Sequence, residues 1–157
     1  MNKASIIVLS GDLDKVIAAF NIAIGAASSG MDVTMLFTFW GLNVLRKDKI
    51  GANAKGIMQK MLTWMNKGGT ENLPMSRFHM FGLGTWMMKK LMKRYKMPSV
   101  KELYTISKQL GVKVIACTIT MGMMGIAKED LVDDVDEFAG VITYIKEAQE
   151  SKINLFI

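Results

Sequence analysis

The chain contains few of the residues that hold a fold together covalently or through a metal ion. It has one cysteine, Cys117, one histidine, His79, and two prolines among 157 residues. A single cysteine excludes an internal disulfide. One cysteine and one histidine at no recognisable spacing cannot form a zinc site unaided. We therefore expect neither a structural disulfide nor a bound metal.

Motifs for nucleotides, nucleic acids and membrane spans are also absent from the sequence. There is no Gly-x-Gly-x-x-Gly and no P-loop, so no cofactor is predicted. No helix-turn-helix or RNA-recognition pattern occurs, so no nucleic-acid partner is expected. The longest uncharged stretches, 16–31, 33–45 and 114–127, fall short of the roughly 20 apolar residues of a spanning helix. Residues 1–12 are not typical of a signal peptide, and we expect a soluble cytoplasmic protein that at most contacts a membrane peripherally.

Half of the residues are hydrophobic, which is enough for one domain, residues 1–157, with a sizeable core. Short apolar runs alternate with helical periodicity, which predicts an α/β fold. The predicted strands are 4–9, 33–39, 112–117 and 153–157, with a short fifth near 132–135. The predicted helices are 13–28, 54–65, 85–95, 99–110, 127–131 and one from about 138, whereas 73–84 and 118–125 are predicted loops. Because crossovers between parallel strands are right-handed, we expect a three-layer α/β/α sandwich with a mostly parallel sheet of four to five strands.

Cys117 stands at the end of a β-branched, apolar strand, where the sequence predicts the start of a loop. In a parallel sheet, ligands bind and reacting side chains lie at the carboxyl ends of the strands. A cysteine there suits thiol chemistry, although a buried free cysteine that only packs in the core is the alternative. No basic residue lies within three positions of Cys117. Any lowering of its pKa must therefore come from a helix N-terminus or from residues distant in sequence.

The turns after the first two strands should lie at the same edge of the sheet. Gly11 and Asp12 follow strand 1, and Trp40 and Gly41 follow strand 2. Asp12 is a plausible N-cap of the next helix. Trp40 could wall a pocket or simply cap the core. We predict that these residues shape a pocket next to Cys117.

Residues 41–101 form a basic, methionine-rich insertion with thirteen lysines and arginines against two acids. Its predicted helix 85–95 has an apolar face (Trp86, Met87, Met88, Leu91, Met92, Tyr95) and a basic face (Lys89, Lys90, Lys93, Arg94). Such a helix suits an anionic membrane surface or the groove of a partner. The alternative is an ordinary packing element in the core or at a subunit interface. Segment 78–95 has too many large apolar residues to be left in water, so we expect a homo-oligomer.

Several segments together resemble the DsrE/DsrF-like family of sulfur-relay proteins. They are Ser10–Lys15, the turn Phe37–Leu42, Ala116-Cys117 with Met121 and Met124–Ile126, and the terminal Asn154–Ile157. The resemblance is strongest to the DsrE2-type branch, sometimes called peroxiredoxin-like. A thiol peroxidase, however, would need a P-x-x-x-T-x-x-C context and a nearby arginine, which Cys117 lacks in sequence.

The resemblance implies a five-stranded parallel sheet, homo-oligomers, and a cysteine that carries sulfur as a persulfide. On the matching motif this catalytic cysteine is Cys117, and Met121 joins the predicted pocket. Relatives often have an acidic residue where this chain has Gly122, so no acid/base step is assigned there. The expected function is that of a sulfur carrier, sulfurtransferase-like if active, with sulfur-donor and acceptor proteins as partners. The alternative is a non-catalytic docking or regulatory subunit that acts through helix 85–95.

Overall fold

The computed structural model describes residues 2–47 and 56–157, and the statements below concern these residues. The strands are β1 (Lys3–Val8), β2 (Asp32–Phe37), β3 (Lys113–Cys117), β4 (Glu137–Ala139) and β5 (Ile153–Phe156). The helices are α1 (Leu13–Ser28), α2 (Leu42–Leu45), α3 (Ile57–Met65), α4 (Leu83–Arg94), α5 (Val100–Gln109), α6 (Thr118–Met124) and α7 (Val141–Glu150). The first two positions of the predicted helix 54–65 lie outside the described residues.

All five strands are parallel and follow the order β4-β3-β2-β1-β5. Alternate side chains of each strand point to opposite faces of the sheet. One face, which includes Ile6, Phe37 and Val114, packs with α1 and α5 in the larger core. The other face, which includes Leu36 and Ile115, packs with Tyr144 of α7. The molecule is therefore the three-layer α/β/α sandwich that the sequence predicts.

Helix boundaries follow local signals in the sequence. Ser99 forms a capping box with Glu102, in which each side chain bonds the other residue's backbone N–H, and this fixes the start of α5. Gly111, with φ +80°, follows the end of α5, as predicted. Asp12 occupies the N-cap position of α1 but its side chain makes no capping bond. Its carboxylate instead pairs with Lys15 at 2.9 Å.

Two predictions of local structure were wrong. The predicted loop 118–125 contains helix α6, which ends at Gly125 with φ +68°. The glycines of this segment indicated a loop. Nothing lies within 4 Å of the position that a Cβ on Gly122 would take, so the helix accommodates this glycine but does not need it for steric reasons. The fifth strand is Glu137–Ala139 rather than 132–135, so Phe138 belongs to β4 and not to the following helix. A strand of three residues that pairs only with β3 carries too short a pattern to be located from sequence.

Two smaller differences concern the connecting segments. Residues 127–131 contain a single 3-10 turn, Lys128–Asp130, in place of the predicted α-helix. Residues 73–84 include a 3-10 turn at Met80–Gly82, and α4 begins at Leu83.

Candidate functional site

Cys117 is the last residue of β3 and the N-cap of α6. β3 lies between β2 and β4, so the cysteine sits at the carboxyl edge of the sheet with a neighbouring strand on either side. The residue exposes 3% of its surface and packs with Leu36, Ile115 and Tyr144 on the α7 side of the sheet. A reagent can therefore reach the sulfur only if the covering side chains move slightly.

Two opposing influences act on the pKa of the Cys117 thiol. The largest is burial, which disfavours the thiolate and raises the pKa. The Thr38 hydroxyl, the backbone N–H and hydroxyl of Thr120, and the Ile119 backbone N–H all favour the thiolate, and together these donor groups outweigh burial. The pKa of Cys117 consequently lies below its ordinary value, and its thiolate is more populated at neutral pH than that of an ordinary cysteine.

The two threonines link the ends of β2 and β3. Their hydroxyl oxygens lie 3.0 Å apart, and the Phe39 backbone N–H donates to Thr120 Oγ1 at 3.3 Å. Thr38 follows β2 directly, and Thr120 is the third residue of α6, where N-terminal N–H groups are free to donate. The sequence analysis did not assign either threonine to the site. The usable signal was a Cys-x-x-Thr spacing at a strand-to-helix junction, which was hidden because the helix was predicted as a loop.

The predicted pocket residues after β1 and β2 lie against one another. A Cβ on Gly11 would stand 2.6 Å from the Trp40 carbonyl oxygen, and one on Gly41 would stand 2.0 Å from the Val8 carbonyl oxygen. Glycine is therefore required at both positions by close backbone approach. Trp40 is 41% exposed and packs edge-on against Phe39.

The other two predicted pocket residues, Asp12 and Met121, contact different parts of the molecule. Asp12 pairs with Lys15, as described, whereas the groups that lower the pKa of Cys117 belong to Thr38, Ile119 and Thr120. Met121 is buried in the larger core on the opposite side of the sheet from Cys117. Gly122 faces open space, and its carbonyl oxygen accepts from the Gln59 side chain at 3.5 Å.

The segments at and after the ends of β2, β3 and β4 form an apolar rim, defined here by its exposed side chains. The connecting segments 38–45, 118–127 and 138–145 contain no charged residue. Exposed large apolar side chains come from all three segments: Phe39, Trp40, Ile119, Met123, Val141, Ile142 and Ile145. Ile119 Cδ1 lies 3.9 Å from the position that a Cβ on Gly140 would take, so α6 and the turn before α7 are adjacent. Such a surface suits contact with another protein better than with a charged small molecule.

Helix α4 leaves most of its predicted apolar face exposed. Only Thr85 and Met92 are buried, whereas Trp86 and Met87 are each 58% exposed. Apart from Met92, the apolar face is thus not part of the core of this chain. Of the four predicted surface bases, Lys89 contacts Glu71 and Lys90 lies over the Trp86 ring at 5.0 Å. Lys93 and Arg94 occupy the last turn of the helix, where their positive charges interact favourably with the negative end of the helix dipole.

Two further structural findings bear on the site. Within residues 2–47 and 56–157, no cluster of three or more histidine, cysteine or carboxylate side chains is placed to hold a metal ion. In the same part of the chain, no helix is long and apolar enough to cross a bilayer.

The fold and the site define an α/β protein with a single cysteine at the carboxyl edge of a parallel sheet. The model of the DsrE/DsrF/DrsH-like family matches residues 1–156, and the chain belongs to this family. It is 39% identical over 155 residues to "Uncharacterized protein YrkE" of Bacillus subtilis, covering 99% of this chain and 96% of that protein. It is 34% identical over 161 residues to "Sulfur carrier protein DsrE2" of Allochromatium vinosum, covering 99% of this chain and 98% of that protein. These matches confirm the resemblance found in the sequence.

Solved structures with the same fold have little sequence in common with this chain. The ychN protein from E. coli superposes with a TM-score of 0.58 at 15% identity. The protein of unknown function MTH1491 from Methanobacterium thermoautotrophicum superposes with a TM-score of 0.56 at 12% identity. Each match covers 100% of both chains. At these identities the likeness shows the fold alone. The family and the DsrE2 relative support a role in sulfur relay.

Proposed function

We propose that the protein is a sulfur carrier that holds sulfane sulfur as a persulfide on Cys117 and passes it to an acceptor thiol. The observation that carries the proposal is the position of a single cysteine at the carboxyl edge of the sheet, where Cys117 ends β3, begins α6 and lies at the junction that the Thr38–Thr120 hydroxyl contact ties together. The lowered pKa of its thiol agrees with this role. The named function of the DsrE2 relative supports the same role.

The reaction needs one thiolate and no resolving cysteine. The Cys117 thiolate attacks the terminal sulfane sulfur of a polysulfide or persulfide donor, and the S–S bond of the donor breaks. The electron pair leaves with a shortened polysulfide anion in the first case and with a thiolate in the second. Cys117 then carries an outer sulfur. An acceptor thiolate attacks that outer sulfur, forms the new persulfide and releases Cys117 as a thiolate. The transfer is sulfurtransferase-like, and no external oxidant or reductant is consumed.

The surroundings of Cys117 fit the stages of this cycle. Hydroxyl and N–H donors that stabilise a thiolate can also stabilise the negative charge of a persulfide. The apolar rim around Cys117 provides a place for a donor or acceptor protein to dock, and contact there could displace the side chains that cover the sulfur. A free thiol suits a reducing compartment, so we place the carrier in the cytoplasm.

The test is intact-mass analysis after incubation with polysulfide. Wild type should gain about 32 Da, one sulfur atom, and lose it again on addition of a small thiol. Cys117→Ser should show no gain, because serine offers no sulfur nucleophile. An equal gain in both proteins would contradict the carrier function.

A second candidate function is docking through α4, and the exposed apolar and basic sides of that helix favour it. In this function Cys117 is only a packing residue, and polysulfide should leave the mass of wild type unchanged. A homo-oligomer also stays a prediction. Light scattering at micromolar concentration tests it, and a strictly monomeric particle would contradict it.

A further inference from the structure

Residues 75–97 form a basic apolar segment that projects from the α1 side of the molecule. The segment contains six lysines and arginines and no acid. It is anchored at its start, where Ser76 bonds the Asp14 carboxylate through its backbone N–H at 3.0 Å and its hydroxyl at 2.6 Å. Met92 is buried and anchors α4. The segment therefore contacts the rest of the molecule both at its start and through α4.

The turn before α4 presents aromatic side chains to solvent. Phe78 is 78% exposed and Phe81 is fully exposed, and both have positive φ, a region that bulky residues seldom adopt. The His79 carbonyl oxygen accepts from Gly82 and Gly84, and the His79 ring contacts the Thr85 hydroxyl at 2.8 Å. The turn is thus held in a strained conformation that keeps two phenylalanines in water. Strain of this kind persists only where the surrounding structure imposes it.

Helix α4 has three sides rather than two. Successive residues of an α-helix are about 100° apart, so Thr85 and Met92 form the side that faces the protein. Leu83, Met87 and Leu91 form an exposed apolar side that continues onto Phe78 around a shallow hollow of about 430 Å³. The third side is basic: Lys90, Lys93 and Arg94 are exposed, whereas Lys89 is half-buried and pairs with Glu71. The exposed apolar side lies next to Lys90 and Arg94.

The charge of the segment indicates what kind of partner covers it. A two-fold contact through this surface would bring twelve positive charges together with no acid from either segment, six from each copy. In the acidic stretch 129–137 of a second copy, three carboxylates already have cationic partners and the Asp134 carboxylate accepts from the Tyr104 hydroxyl. Asp133 pairs with Lys47, Asp136 with Lys108 and Glu137 with Lys113. A different molecule with an anionic surface therefore complements this segment better than a second copy does.

We propose that residues 75–97 bind an anionic lipid surface. In this arrangement Phe78, Phe81 and the apolar side of α4 enter the boundary between headgroups and acyl chains, and the basic side contacts anionic headgroups. Trp86 and Tyr95, both exposed, have the amphipathic rings that settle at that depth. Because α4 has 12 residues and is about 18 Å long, it lies in the plane of the surface and does not cross a hydrocarbon core of about 30 Å.

The binding test uses sedimentation with two kinds of vesicle, one of phosphatidylcholine alone and one of phosphatidylcholine with about one third phosphatidylglycerol. We expect wild type to pellet with the anionic vesicles only, and to be released as the Debye length falls from about 10 Å at 0.1 M salt to about 3 Å at 1 M. The variant Lys90→Glu/Lys93→Glu/Arg94→Glu should lose at least tenfold in partitioning. Phe78→Ser/Phe81→Ser should also lose binding, because the aromatic contribution is independent of charge.

The matched control reverses three exposed lysines elsewhere, Lys101→Glu/Lys146→Glu/Lys152→Glu, and should keep wild-type partitioning at the same change of net charge. Circular dichroism and Cys117 alkylation confirm that each variant is folded. Equal loss in the control, or unchanged binding of the Phe78/Phe81 variant, would overturn the proposal, because attraction would then follow net charge alone. No pelleting of wild type at 0.1 M salt would overturn it as well. Retention on immobilised polyglutamate without vesicle binding would assign the surface to an acidic protein instead.

Discussion

Gly41 allows the turn after β2 to pack against the end of β1, and replacing it should destabilise the fold. In Gly41→Ala the new Cβ would lie 2.0 Å from the Val8 carbonyl oxygen and 2.8 Å from its carbonyl carbon, and both are backbone atoms. The turn cannot slide away easily, because the Gly41 N–H donates to Leu9 at 2.8 Å and to Thr38 at 2.9 Å. The backbone of Gly41 is right-handed helical, so alanine meets no φ/ψ penalty and the effect is steric.

Overpacking of this kind costs about 1–3 kcal/mol or more, and the lower entropy of the unfolded alanine variant offsets about 0.4–1 kcal/mol of it. Because the contacts are severe and involve backbone, we expect a net loss of about 2–3 kcal/mol in the free energy of unfolding. The thermal midpoint should fall by roughly 4–12 °C for a chain of this size. Urea unfolding followed by circular dichroism measures the loss at constant temperature.

The matched control is Gly122→Ala in α6, where nothing lies within 4 Å of the new Cβ. Glycine in a helix interior is less favourable than alanine by about 1 kcal/mol, so this variant should be more stable than wild type by up to that amount. The two substitutions are chemically identical, yet their effects should have opposite signs. If Gly41→Ala were as stable as wild type, the steric argument for the turn would be refuted.

Three further predictions test the site, a helix start and the core. In Thr38→Val a hydroxyl that stabilises the thiolate is lost, so the pKa of Cys117 rises and its iodoacetamide alkylation profile moves to higher pH; an unmoved profile would mean that Thr38 has no part in ionisation. Ser99→Ala removes the capping box of α5 and should cost about 1 kcal/mol in urea unfolding, whereas Thr105→Ala on the exposed side of the same helix should cost less. Phe20→Ala, in a fully buried position that packs edge-on with Tyr104, should cost about 3–5 kcal/mol, and a cost near that of the half-exposed Ile22→Ala would contradict the packing described.

The layers of the fold could be predicted because each major strand carries its own signal. β1, β2 and β3 are continuous apolar runs that are buried on both faces of a parallel sheet, and turn residues follow them. β4 could not be located, because it has only three residues, it lies at the edge of the sheet and its sheet partner is β3. Its three residues gain their strand conformation from β3 and not from a pattern of their own.

The chemistry of the candidate site was only partly visible in the sequence. The position of Cys117 at a strand end followed from the apolar run before it. The groups that lower its pKa could not be identified from the sequence. Thr38 is 79 positions away in sequence, and Thr120 lies in the first turn of α6, whose glycines and methionines led to the prediction of a loop. The sequence also could not show which side of α4 is buried. An amphipathic pattern does not reveal whether the apolar side meets the core, and here most of it meets water.

The order of the strands also has a consequence for how the molecule folds. β1 pairs with β2 on one side and with β5 on the other, and the contact between Ser5 and Asn154 spans 149 positions of sequence. Closing so large a loop carries an entropic cost that only the finished sheet can offset. We therefore expect β1, β2 and β3 to assemble first, with β5 added late. Until then the unpaired edge of β1 is a template for wrong pairing between chains, so slow docking of β5 would appear as aggregation during refolding at high protein concentration.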